Sequence, residues 1–285
     1  MDSIRIKAPA KINLTLDITG RLKNGYHTIE SLFHSVSLFD TITLTKTNSP
    51  NITITCDKPH IPLDSNNLCH KAAVLFFEQH NISGSGLHID IQKNIPSEAG
   101  MGGGSADAAA TLKGLYKLYN IENTDSILEL GLRLGADVPF CILNRPSFVT
   151  GIGEKMTEVA PLPDCHIVIV KPDFGSSTKE AYSKYDLVDT VAVYDSKAVC
   201  DAVEKSDLKG ISENLYNIFE ALLDIDEIYE IKTEFIKYGA LGSSMSGSGT
   251  AVFGIYDDSG NAEKAAEYFR GMYSQVYVCR PYCDR

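Results

Sequence analysis

Apolar and polar residues alternate one by one in several early stretches of the chain, and a period of two predicts half-buried strands. Within residues 11–18, Ile12, Leu14, Leu16 and Ile18 take one face and Asn13, Thr15 and Asp17 the other. Residues 41–45, 51–55 and 87–91 repeat the pattern. Asp64-Ser65 reads as the cap of a helix over 70–79, with Ala73, Phe76 and Phe77 among its apolar positions. A second helix is expected from about 105 to 119, directly after a glycine cluster. A third starts at Thr124 or Asp125 and stops at Leu134, before the helix-ending Gly135.

Beyond residue 155 the order restarts. Pro161-Leu162-Pro163-Asp164 reads as a linker into an apolar strand over 167–170. Helices are expected near 195–205, 212–223 and 226–237. A glycine/serine loop at 242–249 then leads to a strand over 251–256, a helix over 260–272 and a last strand over 275–279. Strands and helices mix without strict βα alternation, which predicts an α+β fold. A chain of 285 residues is long enough for about two domains, here placed at 1–159 and 160–285.

Charge narrows the partners. Lys and Arg number 26 against 37 Asp and Glu, a formal net charge of −11. Nucleic acid and anionic membranes both ask for a basic face, so neither is an expected partner. The longest apolar runs, 72–77 and 167–170, fall far short of the roughly 20 residues that span a bilayer. The first residues show no secretory pattern. The seven cysteines are scattered without a C-x-x-C pair, as in a reduced cytoplasmic protein with mostly buried thiols.

The densest chemistry lies in Ile95-Pro96-Ser97-Glu98-Ala99-Gly100-Met101-Gly102-Gly103-Gly104-Ser105, between a strand and a helix. Its four glycines allow φ > 0 and leave no side chain between backbone and ligand. Free N–H groups at the helix N-terminus, with the dipole behind them, make a phosphate cradle. Asp107, in the first turn, suits the dipole but opposes a phosphate, so it either faces away or lies near a magnesium ion. No G-x-x-x-x-G-K-[ST] or G-x-G-x-x-G occurs, which excludes the P-loop and dinucleotide readings. Asp173-Phe174-Gly175 spells the protein-kinase magnesium motif but lacks the catalytic loop that would accompany it.

Other residues carry two readings each. Lys11 opens a strand and is either an edge lysine that discourages aggregation or a cation for the site. Asp137, in Gly135-Ala136-Asp137-Val138-Pro139-Phe140, is either an ordinary turn residue or a base, and Pro139 predicts an extended Val138. Tyr26-His27 follows Lys23-Asn24-Gly25, a hairpin-turn signal.

Taken in order, Pro9-Ala10-Lys11-Ile12-Asn13-Leu14, residues 96–110 and Ser246-Gly247-Ser248-Gly249 resemble the GHMP kinase superfamily. Residues 21–33, 135–140 and 175–182 narrow the resemblance to members acting on a cytidine-diphosphate-linked methylerythritol. The resemblance implies the two-domain GHMP kinase fold with its active site between the domains, and transfer of the γ-phosphoryl group of ATP, with Mg2+, to a substrate hydroxyl. It implies Asp137 as base, Lys11 as charge stabiliser, and Pro96, Gly100, Met101, Gly102, Gly103, Gly104 and Ser105 around the ATP phosphates, with Ser105 as a magnesium contact. Asn13 would position the acceptor, and His27, Tyr26, Tyr182 and Thr178 would hold the cytosine. Gly247, Ser248 and Gly249 would close on the acceptor and the transferred phosphate.

Overall fold

The computed structural model describes residues 2–122, 125–187 and 194–284. The chain divides into two units, neither contiguous in sequence. Met1–Ala10, Leu38–Ile95 and Gly102–Asn144 make the first; Lys11–Ser37, Pro96–Met101 and Arg145–Arg285 make the second. Two strands longer than the alternation suggested, Ser3–Arg21 and His27–Thr47, contribute residues to both.

In the first unit, Thr41–Thr47 of the second strand runs antiparallel to Gly86–Gln92, and Ile52–Cys56 pairs with the latter in parallel. The register follows the alternation: Ile42, Leu44, Leu87, Ile89 and Ile91 are buried, while Thr43, Thr45, His88 and Asp90 take the half-buried face. Helix Gly103–Leu118 lies close on this sheet, for a Cβ on Gly114 would meet Leu44 Cδ1 at 2.6 Å and Ile6 Cγ1 at 3.2 Å. Helices Leu68–Gln79, Asp125–Leu134 and Val138–Leu143 pack against it, enclosing Phe76, Leu112, Leu115 and Phe140.

Two local expectations in this unit are corrected. The cap of the first helix is Asn67, whose side chain accepts from the Cys69 N–H at 2.8 Å; Asp64 instead accepts from Asn66 N and makes the preceding turn. Val138 is not extended but opens the short helix Val138–Leu143, because a proline in a first helical turn has no N–H to lose. Of the two expected starts for the third helix, Asp125 begins it and Thr124 lies outside the described residues.

In the second unit, Lys11–Arg21 and His27–Ser37 form a hairpin closed by Leu22 N–H to the Tyr26 carbonyl at 2.7 Å. Strand Ser147–Thr150 adds antiparallel to the second strand, and Tyr216–Asn217 adds parallel to the first at Thr15 and Leu16. A separate antiparallel sheet has the order Gln275–Cys279, His166–Lys171, Val252–Tyr256, Gly242–Met245. Helices Asp226–Lys237 and Ser259–Arg270 cover it through Ile228, Ile231, Phe235, Ala265 and Phe269. The single helix expected over 212–223 is two, Leu208–Glu213 and Ile218–Leu223, separated where Tyr216–Asn217 joins the sheet. Mixed sheets and non-alternating helices make this an α+β chain. Among the described residues, no helix is long and apolar enough to cross a membrane.

His34 gives this unit a pH signature. Its ring is buried, with Nδ1 2.7 Å from the Ser35 carbonyl oxygen and Nε2 accepting from the Leu162 N–H at 3.1 Å. Burial pulls it from its ordinary 6.5 down to about 4. A base with a depressed folded pKa is neutral in the fold but takes a proton on unfolding. Stability is therefore full above 6.5 and is lost progressively as the pH falls towards 4, by up to about 3 kcal/mol. Thermal melts between pH 7 and 4.5 should show a steeper acid loss for the native chain than for His34→Gln; identical slopes would exclude His34 as the cause.

Candidate active site

The glycine segment ends in a helix with an open N-terminus. Gly102, at φ 67°, is the N-cap of Gly103–Leu118 and has no side chain with which to cap the helix. The first N–H groups of a 16-residue helix are thus left for an external acceptor, with the positive end of the dipole at the same place. Of the four glycines, Gly100 and Gly102 use the positive φ that glycine allows, whereas Gly103 and Gly104 are helical; Glu98 also takes positive φ, at 51°.

The glycines answer to different neighbours. A Cβ on Gly100 would run into the Ser246 carbonyl, and one on Gly103 would lie 3.1 Å from Ile95 Cγ2 and 3.3 Å from Lys93 Nζ. Gly104 is exposed, and its nearest neighbour would be Leu68 Cδ1 at 3.5 Å. Packing does not ask for glycine there, which leaves a bare backbone facing outward. Gly104→Ala should keep or raise the melting temperature, since alanine favours helix by about 0.5–1 kcal/mol. ATP affinity should fall about tenfold, as expected for losing one to two backbone hydrogen bonds to a charged ligand. Calorimetric titration with ATP checks this, and unchanged affinity would exclude the phosphate cradle. Pro96 and Met101, by contrast, are buried, and the Met101 carbonyl accepts from the Lys11 N–H at 3.0 Å.

Lys11 is 4% exposed, which removes the edge-lysine reading. Its ammonium donates to Asn13 Oδ1 at 2.7 Å and lies 4.5 Å from the centre of the Phe33 ring. Asn13 Nδ2 in turn donates to Ser31 Oγ at 2.8 Å, and Ser31 Oγ donates to the Thr15 carbonyl. The chain of donors fixes the amide so that its oxygen faces the lysine. Alternation on a strand places Lys11 and Asn13 on one face, as residues two apart must be.

The glycine/serine segment comes to the same place. Ser246 Oγ accepts from the Asn13 N–H at 3.3 Å and donates to the Gly100 carbonyl at 3.0 Å. The Gly100 carbonyl oxygen would lie 2.7 Å from a Cβ on Gly247, so the two loops meet backbone to backbone. Ala251 N–H donates to the Ala99 carbonyl at 3.2 Å beside them. Behind the loop sits a residue that sequence reasoning missed. Asn217 Nδ2 donates to the carbonyls of Met245 at 2.7 Å and Gly247 at 2.8 Å, while its Oδ1 caps helix Ile218–Leu223 through Phe219 N. Glu220, one turn on, accepts from Met245 N at 2.7 Å and Ser244 Oγ at 2.9 Å and is paired to Lys232. An Asn immediately before an apolar run is a helix-start signal, and it lay inside what read as one continuous helix.

The remaining acceptor-side candidates cluster on helix Thr178–Tyr185. Thr178 Oγ1 and Ser248 Oγ lie 2.9 Å apart, and Tyr182 follows Thr178 by four residues, on the same helical face. Tyr182 stacks on the His27 ring with centroids 5.0 Å apart at 26°, and Tyr185 meets that ring edge-on at 5.5 Å. Tyr26 is 61% exposed at the turn next to them. His27 Nε2 lies 2.8 Å from Asp186 Oδ1, which Arg21 also reaches at 3.2 Å. Asp186 was not anticipated, because 159 residues separate it from His27.

Asp137 occupies the N-cap position of Val138–Leu143, with αR angles and no cap bond from its side chain. That helix packs on Gly103–Leu118 and on Asp125–Leu134. Asp107 faces away from the loop's outer side: it is buried, its Oδ2 accepting from Lys93 Nζ at 2.7 Å. Burial pushes its acid up, against the pull of Lys93. Of the two readings of Asp107, the side chain takes the one that faces away, into a buried pair with Lys93. The Asp173-Phe174-Gly175 segment is a loop whose Phe174 carbonyl accepts from Lys171 Nζ at 2.7 Å and Thr250 Oγ1 at 2.7 Å.

Comparison with known proteins shows the family. Residues 67–145 match the family model for the GHMP kinases N terminal domain, and residues 200–275 the model for the GHMP kinases C terminal. The chain is 43% identical over 277 residues to a 4-diphosphocytidyl-2-C-methyl-D-erythritol kinase of Clostridium novyi (strain NT), covering 96% of this chain and 98% of the relative. A protein of the same description from Clostridium botulinum (strain Alaska E43 / Type E3) is 44% identical, over 96% of this chain and 99% of its own. A crystal structure of a 4-(cytidine 5'-diphospho)-2C-methyl-D-erythritol kinase superposes with a TM-score of 0.81 at 31% identity, covering 99% of this chain and all of that one. A homoserine kinase from Cytophaga hutchinsonii shares the fold, with a TM-score of 0.78 at 20% identity over 98% of this chain and 94% of that one.

Proposed function

Because the chain belongs to the GHMP kinases, and among them to the 4-diphosphocytidyl-2-C-methyl-D-erythritol kinases, we propose that it transfers the γ-phosphoryl group of ATP to the 2-hydroxyl of 4-(cytidine 5'-diphospho)-2-C-methyl-D-erythritol, a step of non-mevalonate isoprenoid precursor synthesis. The observation that carries the reading is the uncapped, glycine-opened N-terminus of helix Gly103–Leu118. The division 1–159 and 160–285 stays part of it, and the two family matches fall on either side of that boundary.

Phosphoryl transfer asks a protein for position and charge stabilisation more than for covalent help. The loop residues Gly100 to Ser105 receive the triphosphate on backbone N–H groups, which suits a protein whose overall charge repels anions. Asp137 takes or orients the proton of the acceptor hydroxyl. Lys11, held by Asn13, stabilises the charge that develops in transfer. Gly247 to Gly249, backed by Asn217, close on the acceptor. Tyr26 and Tyr182 are the stacking faces for the cytosine, with Thr178 close by, and His27 hydrogen-bonds it.

Magnesium enters with the nucleotide. Asp107 is turned into its ion cluster, and among the described residues no group of three or more His, Cys, Asp or Glu could hold a metal. That donor set suits an ion carried by triphosphate and water, with the Ser105 hydroxyl as the protein's contribution, as is usual for Mg2+. When bound, the ion neutralises phosphate charge.

The test is a phosphorylation assay with MgATP against the cytidine-linked alcohol, mevalonate and homoserine. The first should be preferred by about a hundredfold or more in kcat/KM, the discrimination available to a site built on polar contacts. Equal or better use of either competitor would overturn the reading. In the same assay His27→Ala should raise the KM of the cytidine substrate about tenfold or more, the cost of one lost buried hydrogen bond, with the KM for ATP within twofold. Equal effects on both would remove His27 from the base site.

A further inference from the structure

Beneath the glycine segment lies a cluster that the mechanism above does not use. Lys93, Asp40 and Asp107 have side chains 6%, 0% and 8% exposed. Lys93 Nζ is paired to Asp40 Oδ2 and donates to Asp107 Oδ2 at 2.7 Å. Asp40 Oδ1 accepts from two successive backbone N–H groups, Asn94 at 2.6 Å and Ile95 at 2.8 Å. The Lys93 N–H itself donates to Asp57 Oδ1 at 2.8 Å. Burial pulls the ammonium of Lys93 down, but the two carboxylates outweigh it and leave it raised.

We propose that Lys93, clamped between Asp40 and Asp107, is a positioning residue for the nucleotide-phosphate loop, tying the chain that enters the loop to the helix that leaves it. The inference rests on the reading of residues 96–105 as that loop. Three features carry it. The cluster spans the loop at its base: Asp40 holds the entry at Asn94 and Ile95, and Asp107 belongs to the second helical turn after the exit. Lys93 Nζ lies directly under the first helical residue, where a Cβ on Gly103 would approach it to 3.3 Å.

The third feature is the sign of the charge. Asp40 alone balances the ammonium, and burial raises the acid of Asp107, so the cluster has no net positive charge with which to draw a phosphate and does not serve by attraction. It is also poorly built for stability. Buried ion clusters are commonly no better than apolar packing of the same volume, and Asp107 Oδ1 is buried with no hydrogen-bond partner. What remains is geometry, with the loop's two ends joined before the nucleotide arrives.

Asp107→Ala is the discriminating variant, because it cuts the link to the helix yet leaves Lys93 and Asp40 as a neutral pair. The affinity for the Mg2+ complex of a non-hydrolysable ATP analogue, measured by calorimetry, should fall tenfold or more. The acceptor KM and kcat at saturating ATP should stay within threefold. Asp107→Asn, which keeps an acceptor for Lys93, should recover affinity to within threefold of the native chain. Native affinity in Asp107→Ala, an Asp107→Asn protein as impaired as Asp107→Ala, or a kcat loss equal to the affinity loss would each overturn the proposal. If Asp107→Ala does not fold, Asp107→Leu takes its place under the same outcomes. Failure of both to fold beside a folded Asp107→Asn would also overturn it, by making the cluster a requirement of folding alone. Failure of the native chain to bind the analogue would instead overturn the reading of the loop.

Discussion

Asp137→Asn should lower kcat by about a thousandfold, within the range that a positioned general base contributes. The affinities for ATP and for the cytidine substrate should stay within a few-fold of native. Asparagine keeps the size and much of the hydrogen-bonding shape of aspartate but neither accepts the proton nor carries the charge. The local structure makes this a clean substitution. An aspartate at an N-cap usually contributes about 1 kcal/mol through its bond to the helix, yet the Asp137 side chain makes no such bond. Helix Val138–Leu143 is held instead by burial of Val138, Pro139, Phe140, Cys141 and Ile142. Because asparagine matches aspartate in size and the helix is held by burial, the melting temperature should change little while turnover collapses. Steady-state kinetics beside a calorimetric ATP titration separate the two, and a kcat within tenfold of native would exclude Asp137 as the base.

That contrast also marks what local pattern can and cannot reveal. Alternation at Ile12, Leu14 and Leu16 located a strand, because a half-buried strand writes its period into the sequence. The glycines at 100–104 located a helix start, since a helix opened by glycine is a local feature. Local signals gave wrong answers where a neighbour far along the chain decides. A local exception is Pro139, which predicts an extended Val138 but sits in a first helical turn, where its missing N–H costs nothing. Asn217 reads as part of one helix; it breaks it by pairing with the first strand and holding the Met245 and Gly247 carbonyls. Asp186 and Lys93 carry no motif at all. Each matters through a partner, His27 or Asp40, that is 159 or 53 residues away, and no period or spacing reports such a meeting.

Lys11→Met should separate activity from stability in opposite directions. Lys11 is almost wholly buried, with its ammonium over the Phe33 ring and on Asn13 Oδ1. Methionine retains an unbranched apolar stem of similar reach, and its thioether can lie against Phe33 where the ammonium did. The fold no longer has to remove an ammonium from water, a cost of several kcal/mol per ion before partners offset it. The melting temperature should accordingly hold or rise. Turnover should fall by about a hundred- to a thousandfold, the loss seen when one fixed donor to developing charge is removed. Because the ammonium meets charge that grows during transfer, kcat should fall far more than either KM rises. A lysine present only for packing would show the reverse, with lower melting temperature and near-native kcat. Either that pattern or parallel losses in both would exclude Lys11 from charge stabilisation. A raised melting temperature with turnover lost would mean that the lysine is held in the interior at the expense of stability, because the reaction needs its charge there.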